Sequence, residues 1–210
     1  MKDDRKISKI ISLLKKEYPE PKTALNFSTP FQLLVATVLS AQTTDVLVNK
    51  VTKNLFQKYK SLKDYIDTPI ETFEKDISSI NFYKTKAKNI QAAALMIREN
   101  FNSSVPKSMD ELIKLPGVAR KTANIILYNA YGINEGIAVD THVKRLSNRL
   151  GLTKHHDPQK IESDLMAITP KEEWGEISHL LILHGRKVCQ AKKPRHSECV
   201  IIELCPSKDI

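Results

Sequence analysis

Apolar residues recur at helical spacing along almost the whole chain, and this limits what it can fold into more than any other feature. Ile7, Ile10, Ile11, Leu14 and Tyr18 make one stripe. The run 18–22, YPEPK, breaks it, and Thr29-Pro30 then supplies a cap followed by a first-turn proline. Phe31, Leu34, Val35, Val38 and Leu39 form the next buried face, and Val48, Val51, Leu55 and Tyr59 a third. The segment 84–101, rich in Ala, Lys and Leu, predicts a long helix. Ser108-Met-Asp-Glu111 is a capping-box pattern that opens a short one. Further helices are predicted over about 120–131, 141–150, 158–168 and 173–184. Alternating runs long enough for strands are missing, so the expected fold class is all-α.

The bulk numbers agree. Of 210 residues, 41% are hydrophobic, which is enough for a real core, while 6 glycines and 6% aromatics fit helices better than a β-sandwich. There are 33 basic and 24 acidic side chains, a net charge of +9. That balance favours an anionic partner, DNA or RNA first, although a solvated basic surface would look the same. No apolar run approaches the ~18 residues of a membrane span. The start, MKDDRKISKI, lacks an apolar signal core and carries two acids, so a cytoplasmic protein is expected.

Chemistry concentrates in Leu115–His142, LPGVARKTANIILYNAYGINEGIAVDTH. In Leu115-Pro116-Gly117-Val118-Ala119 a short turn leaves amides pointing outward just before a helix start. Free donors and the positive helix end then coincide, which makes a phosphate site that reads backbone and not bases. Lys121 follows in the first helical turn beside Arg120, where both the dipole and the neighbour favour the neutral amine if the site is partly desolvated. A neutral amine is a nucleophile able to form a Schiff base. Asp140, in VDTH, stands 19 positions later. It would cap the helix at 141–150, and a cap is a rigidly held carboxylate. His142 is expected to be structural. A compositional joint near Gly132–Gly136 would put lysine and aspartate on different helical layers, a common setting for a cleft. Together these residues point to chemistry on a DNA sugar.

All 3 cysteines fall near the chain's end, Cys189, Cys199 and Cys205, which argues against a disulfide scaffold. Their clustering beside His196 suggests a metal. Lys192, Lys193 and Arg195 lie between Cys189 and His196. A closed loop bearing three cations would grip a DNA backbone; a solvated basic loop is the plain alternative.

LPGVARKTAN followed by AVDTH resembles the endonuclease III family of DNA glycosylases and abasic-site lyases, within the helix–hairpin–helix/Gly-Pro-Asp superfamily. LLVATVLSAQTTDVLVNKV (33–51), INFYKTKAKNI (80–90) and ILHGRKVC (182–189) extend the resemblance over nearly the whole chain. It implies base-excision repair of oxidised pyrimidines: Lys121 attacks C1′ and expels the base, Asp140 helps activate the amine, and β-elimination cuts the strand. It implies base flipping too, with Gln42 filling the helix gap and Phe82 as an apolar wedge. Gly117 and Ala119 would contact phosphate; Ala119 stands where the family has a second glycine. The expected architecture is two helical lobes, a six-helix barrel with the hairpin over 23–133 and a second lobe from 1–22 and 134–210. Between them would run a cleft for damaged double-stranded DNA. The expected protein is a monomer associated with the nucleoid.

The family's iron–sulfur pattern has four cysteines spaced six, two and five apart. Here the spacing is kept, but His196 takes the second place. Three outcomes follow: a 4Fe-4S cluster with Cys189, His196, Cys199 and Cys205 as ligands, a structural zinc on the same set, or no metal. Two rival functions are a monofunctional glycosylase using activated water and a DNA-binding module without chemistry. Lys121 argues against the first, and Lys121 with Asp140 against the second.

Overall fold

The computed structural model describes residues 2–208, with side chains from Arg5 onward. Met1 and the last two positions, at the ends of the expected second lobe, lie outside it, as do the side chains of Asp3 and Asp4. Among the described residues there are eleven α-helices and no strand. The helices are α1 (Lys2–Glu17), α2 (Pro30–Ser40), α3 (Asp45–Lys58), α4 (Leu62–Asp67), α5 (Ile70–Asp76) and α6 (Tyr83–Asn100). They continue as α7 (Met109–Leu112), α8 (Arg120–Tyr131), α9 (Thr141–Arg149), α10 (Pro158–Ile168) and α11 (Trp174–Lys187). The short α4 and α5 were not evident from apolar period, because two turns hold too few residues to show one.

The chain divides into two compact units, Thr23–Ile133 and the segments on either side of it. The first, the hairpin unit, is built around α2. Each residue from Leu33 to Leu39 is buried, so this helix is enclosed on all sides by α3, α6 and α8. Thr29 caps it by accepting from the Gln32 amide, and Pro30 occupies the first turn. Tyr59, Tyr65 and Phe73 form an aromatic cluster with ring centroids 4.9–5.6 Å apart, edge-on or tilted as ring quadrupoles prefer.

Ser108 and Glu111 do not form the expected capping box. Ser108 opens α7, yet its hydroxyl donates to the Glu111 carboxylate (2.8 Å) and makes no cap bond to an amide. A true capping box forms at Ser61 and Asp64 on α4. The Ser108 pair satisfies itself sideways, which a three-residue spacing cannot distinguish from a box.

The second unit, the thiol unit, packs α1, α9, α10 and α11 around Ile7, Ile10, Leu14, Val143, Leu146, Ile161, Leu165, Ile177 and Leu180. Helices α9 and α11 approach closely at Gly185. A Cβ there would meet Arg145 Nη2 at 3.0 Å, Leu146 Cδ1 at 3.1 Å and His142 Cβ at 3.2 Å. Lys15 bridges Glu173 and Glu176, each at 2.7 Å, and ties α1 to the start of α11. No helix is long and apolar enough to cross a membrane among the described residues.

Candidate active site and nucleic-acid interface

The hairpin is anchored by what it buries. Leu115 and Val118 are inside, and the Val118 amide donates to the Leu115 carbonyl at 3.1 Å. Gly117 between them has φ +80°, and a Cβ added there would stand 3.1 Å from Asn89 Cβ on α6. Both the left-handed backbone and the close approach therefore require glycine. Ala119 is the extended N-cap of α8 and makes no side-chain cap bond. Ala119 thus brings no side-chain oxygen to the positive end of a twelve-residue helix. Lys121 sits in the first turn of α8 and is exposed.

Asp140 belongs to the thiol unit. Its Oδ1 accepts from the amides of His142 and Val143, both at 2.8 Å, so the carboxylate is the N-cap of α9. Its Oδ2 lies 3.0 Å from His142 Nδ1. His142 was expected to be merely structural; here it holds the second oxygen of the candidate catalytic acid, and its Cβ presses on the Gly185 contact.

Gln42 and Phe82 both lie in the hairpin unit, both at left-handed backbone, φ 55° and 57°. Both are exposed, Phe82 by 65%. Non-glycine residues in this region are uncommon, and a bulky one is a genuine outlier. The Asn81 amide between them donates to the Gln42 carbonyl at 2.5 Å. Nearby, Lys86 is 5% exposed, and its ammonium donates to the carbonyls of Leu39 (2.8 Å) and Ala41 (2.6 Å). Burial pushes its pKa down from the ordinary lysine value.

The thiol loop follows α11. Two arginines one turn apart on α9 hold it. Arg145 donates to the carbonyls of Gly185 (2.9 Å) and Cys189 (3.0 Å). Arg149 donates to the carbonyls of Gln190 (2.8 Å) and Ala191 (2.9 Å) and approaches Cys189 Sγ at 3.3 Å. Cys205 Sγ lies 3.6 Å from the Arg149 carbonyl. Cys199 Sγ lies 3.4 Å from His184 Nε2, whose Nδ1 faces the Tyr18 hydroxyl at 3.1 Å. Burial raises the Cys199 thiol and lowers His184 to about 4, so this imidazole is neutral. Each thiol therefore turns to a protein partner. Among the described residues no three His, Cys, Asp or Glu side chains gather so as to hold an ion, and the imidazole against a thiol is His184, not His196. The Cys189 and Cys205 sulfurs nonetheless lie near enough to Cys199 to help raise its thiol, so three of the four expected ligands share this loop. Of the loop's cations, Lys192 and Lys193 are exposed, and Arg195 pairs with Glu198 at 3.4 Å on the surface.

Residues 35–171 match the family model for HhH-GPD superfamily base excision DNA repair proteins. The endonuclease III of Synechocystis is 51% identical over 203 residues, 97% of this chain and 93% of that protein. The chain belongs to the endonuclease III family of DNA glycosylases and abasic-site lyases. The endonuclease III of Bacillus subtilis is 50% identical over 90% of this chain and 86% of its own length. Among solved structures, a trapped endonuclease III–DNA covalent intermediate in an estranged-adenine complex matches with TM-score 0.92 and 46% identity, covering 98% of this chain and 96% of that one. A non-covalent endonuclease III–DNA complex matches equally well.

The candidate lysine, acid and exposed pair follow short motifs of the sequence. No such motif marks the contacts of His142, Asn81, Lys86, Arg145, Arg149 and His184. For His142 the signal was its place two residues after a cap. The others act across 39 to 47 positions or through a loop, and no local pattern marks them.

Proposed function

We propose that the protein excises oxidised pyrimidines from double-stranded DNA and cuts the strand at the resulting site, with Lys121 as nucleophile and Asp140 as its acid–base partner. The observation that carries this assignment is the exposed Lys121 in the first turn of α8, behind a glycine-dependent hairpin, in a chain of this family. Gly117 and Ala119 grip phosphate with backbone amides and leave Lys121 to the sugar.

The Lys121 amine, as the free base, forms a bond from Nζ to C1′ while the C1′–N bond to the damaged base breaks. The electron pair leaves with the base, which takes up a proton. The attacking amine gives up a proton, for which the Asp140 carboxylate is the acceptor. Opening of the sugar ring yields the Schiff base. Loss of a 2′ proton then expels the 3′ phosphate by β-elimination, and water releases the lysine. Asp140 suits this role because one oxygen is pinned by two amides and the other faces His142. Gln42 fills the space of the extruded nucleotide, and Phe82 wedges beside it. Lys192, Lys193 and Arg195 add phosphate contacts; the exposed Arg195–Glu198 pair is weak enough for a phosphate to displace. The protein works as a monomer, in the cytoplasm, on the chromosome.

A thymine-glycol duplex tests the reading. Direct strand cutting by the parent and none by Lys121→Gln supports it, as does a covalent adduct trapped with borohydride. Cutting only after alkali would mean activated water; binding without cutting would mean a module without chemistry.

A further inference from the structure

The loop after α2 and the turn before α6 are separate in sequence, yet each places a non-glycine residue at left-handed backbone and each presents that side chain to solvent. Such a conformation persists only when its surroundings over-determine it. Those surroundings can be named. Helix α2 ends at Ser40, and its last carbonyls would be orphaned inside the hairpin unit. The Lys86 ammonium, reaching from the first turn of α6, donates to the Leu39 carbonyl in the last turn of α2 and to that of Ala41, its C-cap, and lies 3.4 Å from Thr43 Oγ1. A buried cation at a helix C-terminus also suits the dipole. The Lys86 amide itself donates to the Phe82 carbonyl at 3.1 Å. One residue thus grips both turns, the first with its side chain and the second with its backbone. Asn81 completes the tie by donating to the Gln42 carbonyl. A single hydrogen bond, one residue before Phe82, therefore sets the register between the two exposed side chains.

We propose that Asn81 and Lys86 are positioning residues that hold Gln42 and Phe82 at a fixed separation as a two-pronged probe of the opened duplex. This rests on the functional reading above. It goes beyond it by assigning the capture of the flipped state to a polar tie beneath the prongs. Neither residue touches the reacting atoms. Their effect should therefore appear only where a base pair must be opened.

Two substrates separate these roles: a thymine-glycol duplex and a single-stranded oligonucleotide carrying an abasic aldehyde, which has no pair to open. Single-turnover rates are measured for the parent, Asn81→Ala and Asn81→Asp. Losing one neutral hydrogen bond should slow duplex excision roughly threefold to tenfold in Asn81→Ala. Asn81→Asp should be slower still, because a carboxylate facing the Gln42 carbonyl repels it. Both variants should cut the single strand within about twofold of the parent, with unchanged melting within about 2 °C, as expected of an exposed site. Lys86→Arg should behave like Asn81→Ala. Lys86→Met buries the Leu39 and Ala41 carbonyls without donors and is expected to unfold, so the Asn81 pair decides. Equal slowing on both substrates, or slowing on neither, overturns the proposal. Failure of the parent to cut either substrate overturns the functional reading, and this one with it.

Discussion

A phenylalanine at φ 57° is strained by about 1 kcal/mol, and Phe82 is too exposed for burial to offset that. Strain kept at an exposed aromatic fits a residue retained for contact with a partner. Phe82→Gly should therefore raise stability by roughly 1 kcal/mol while slowing duplex excision. Thermal melting and single-turnover cutting read the two halves; a variant that is neither more stable nor slower would sink the wedge assignment. Gly117 carries the opposite lesson. Gly117→Ala combines positive φ with a 3.1 Å approach to Asn89 Cβ, and should cost about 1–2 kcal/mol in denaturant unfolding. Asp140→Asn keeps an acceptor for the two amides but loses the charge. Its stability should stay within about 1 kcal/mol of the parent, while strand cutting falls on the order of 100-fold. Lys121, Gly117 and Asp140 were legible in the sequence because each belongs to a short motif. His142's hold on Asp140 was less so, because a two-residue spacing does not reveal which way a ring turns.

At the scale of elements, the pairing of α9 with α11 governs both the acid and the thiol loop. Arg145 and Arg149 lie four apart and share a face, so one helix pins the end of the next and the loop beyond it. The loop is thus held by guanidinium–carbonyl bonds as the chain stands. A four-cysteine set is a different matter. His196→Cys restores the family's ligand pattern and should raise the iron and acid-labile sulfide retained after anaerobic purification. Equal iron and sulfide in both would mean that imidazole serves as well as thiolate; none in either would mean that the loop holds no cluster. The helix boundaries themselves were largely legible: α6 shows in its composition, α8 in its apolar period, and α9 and α10 in the caps Asp140 and Asp157. Helix α11 runs to Lys187, a turn past the apolar pattern, because Arg145 satisfies the Gly185 carbonyl there.

For the whole molecule, the +9 charge predicts a DNA affinity that falls as salt rises, with a slope set by the number of phosphates contacted. If Lys193 meets a phosphate, Lys193→Ala should flatten the plot of log affinity against log salt by about one unit; an unchanged slope removes Lys193 from the contact set. Stability should also depend on acid. Burial lowers His179 from 6.5 to about 4, so between these values the unfolded chain binds the extra proton. His179 thus contributes stability that is full above pH 6.5 and is lost as pH falls toward 4. Unfolding free energies across that window should fall with pH in the parent and fall less in His179→Gln.

The sequence by itself determined the helical class and most helix limits, and it marked Lys121 and Asp140 as the candidate lysine and acid. Those are properties of short windows, where period, caps and motif spacing carry the physics. Only the tertiary structure decided that Asn81 and Lys86 bind the Gln42 and Phe82 turns together, that His184 and not His196 meets a thiol, and that Gly185 sets the seat of His142. Such contacts join residues far apart in the chain. Their geometry depends on how cores pack, and no local pattern encodes it.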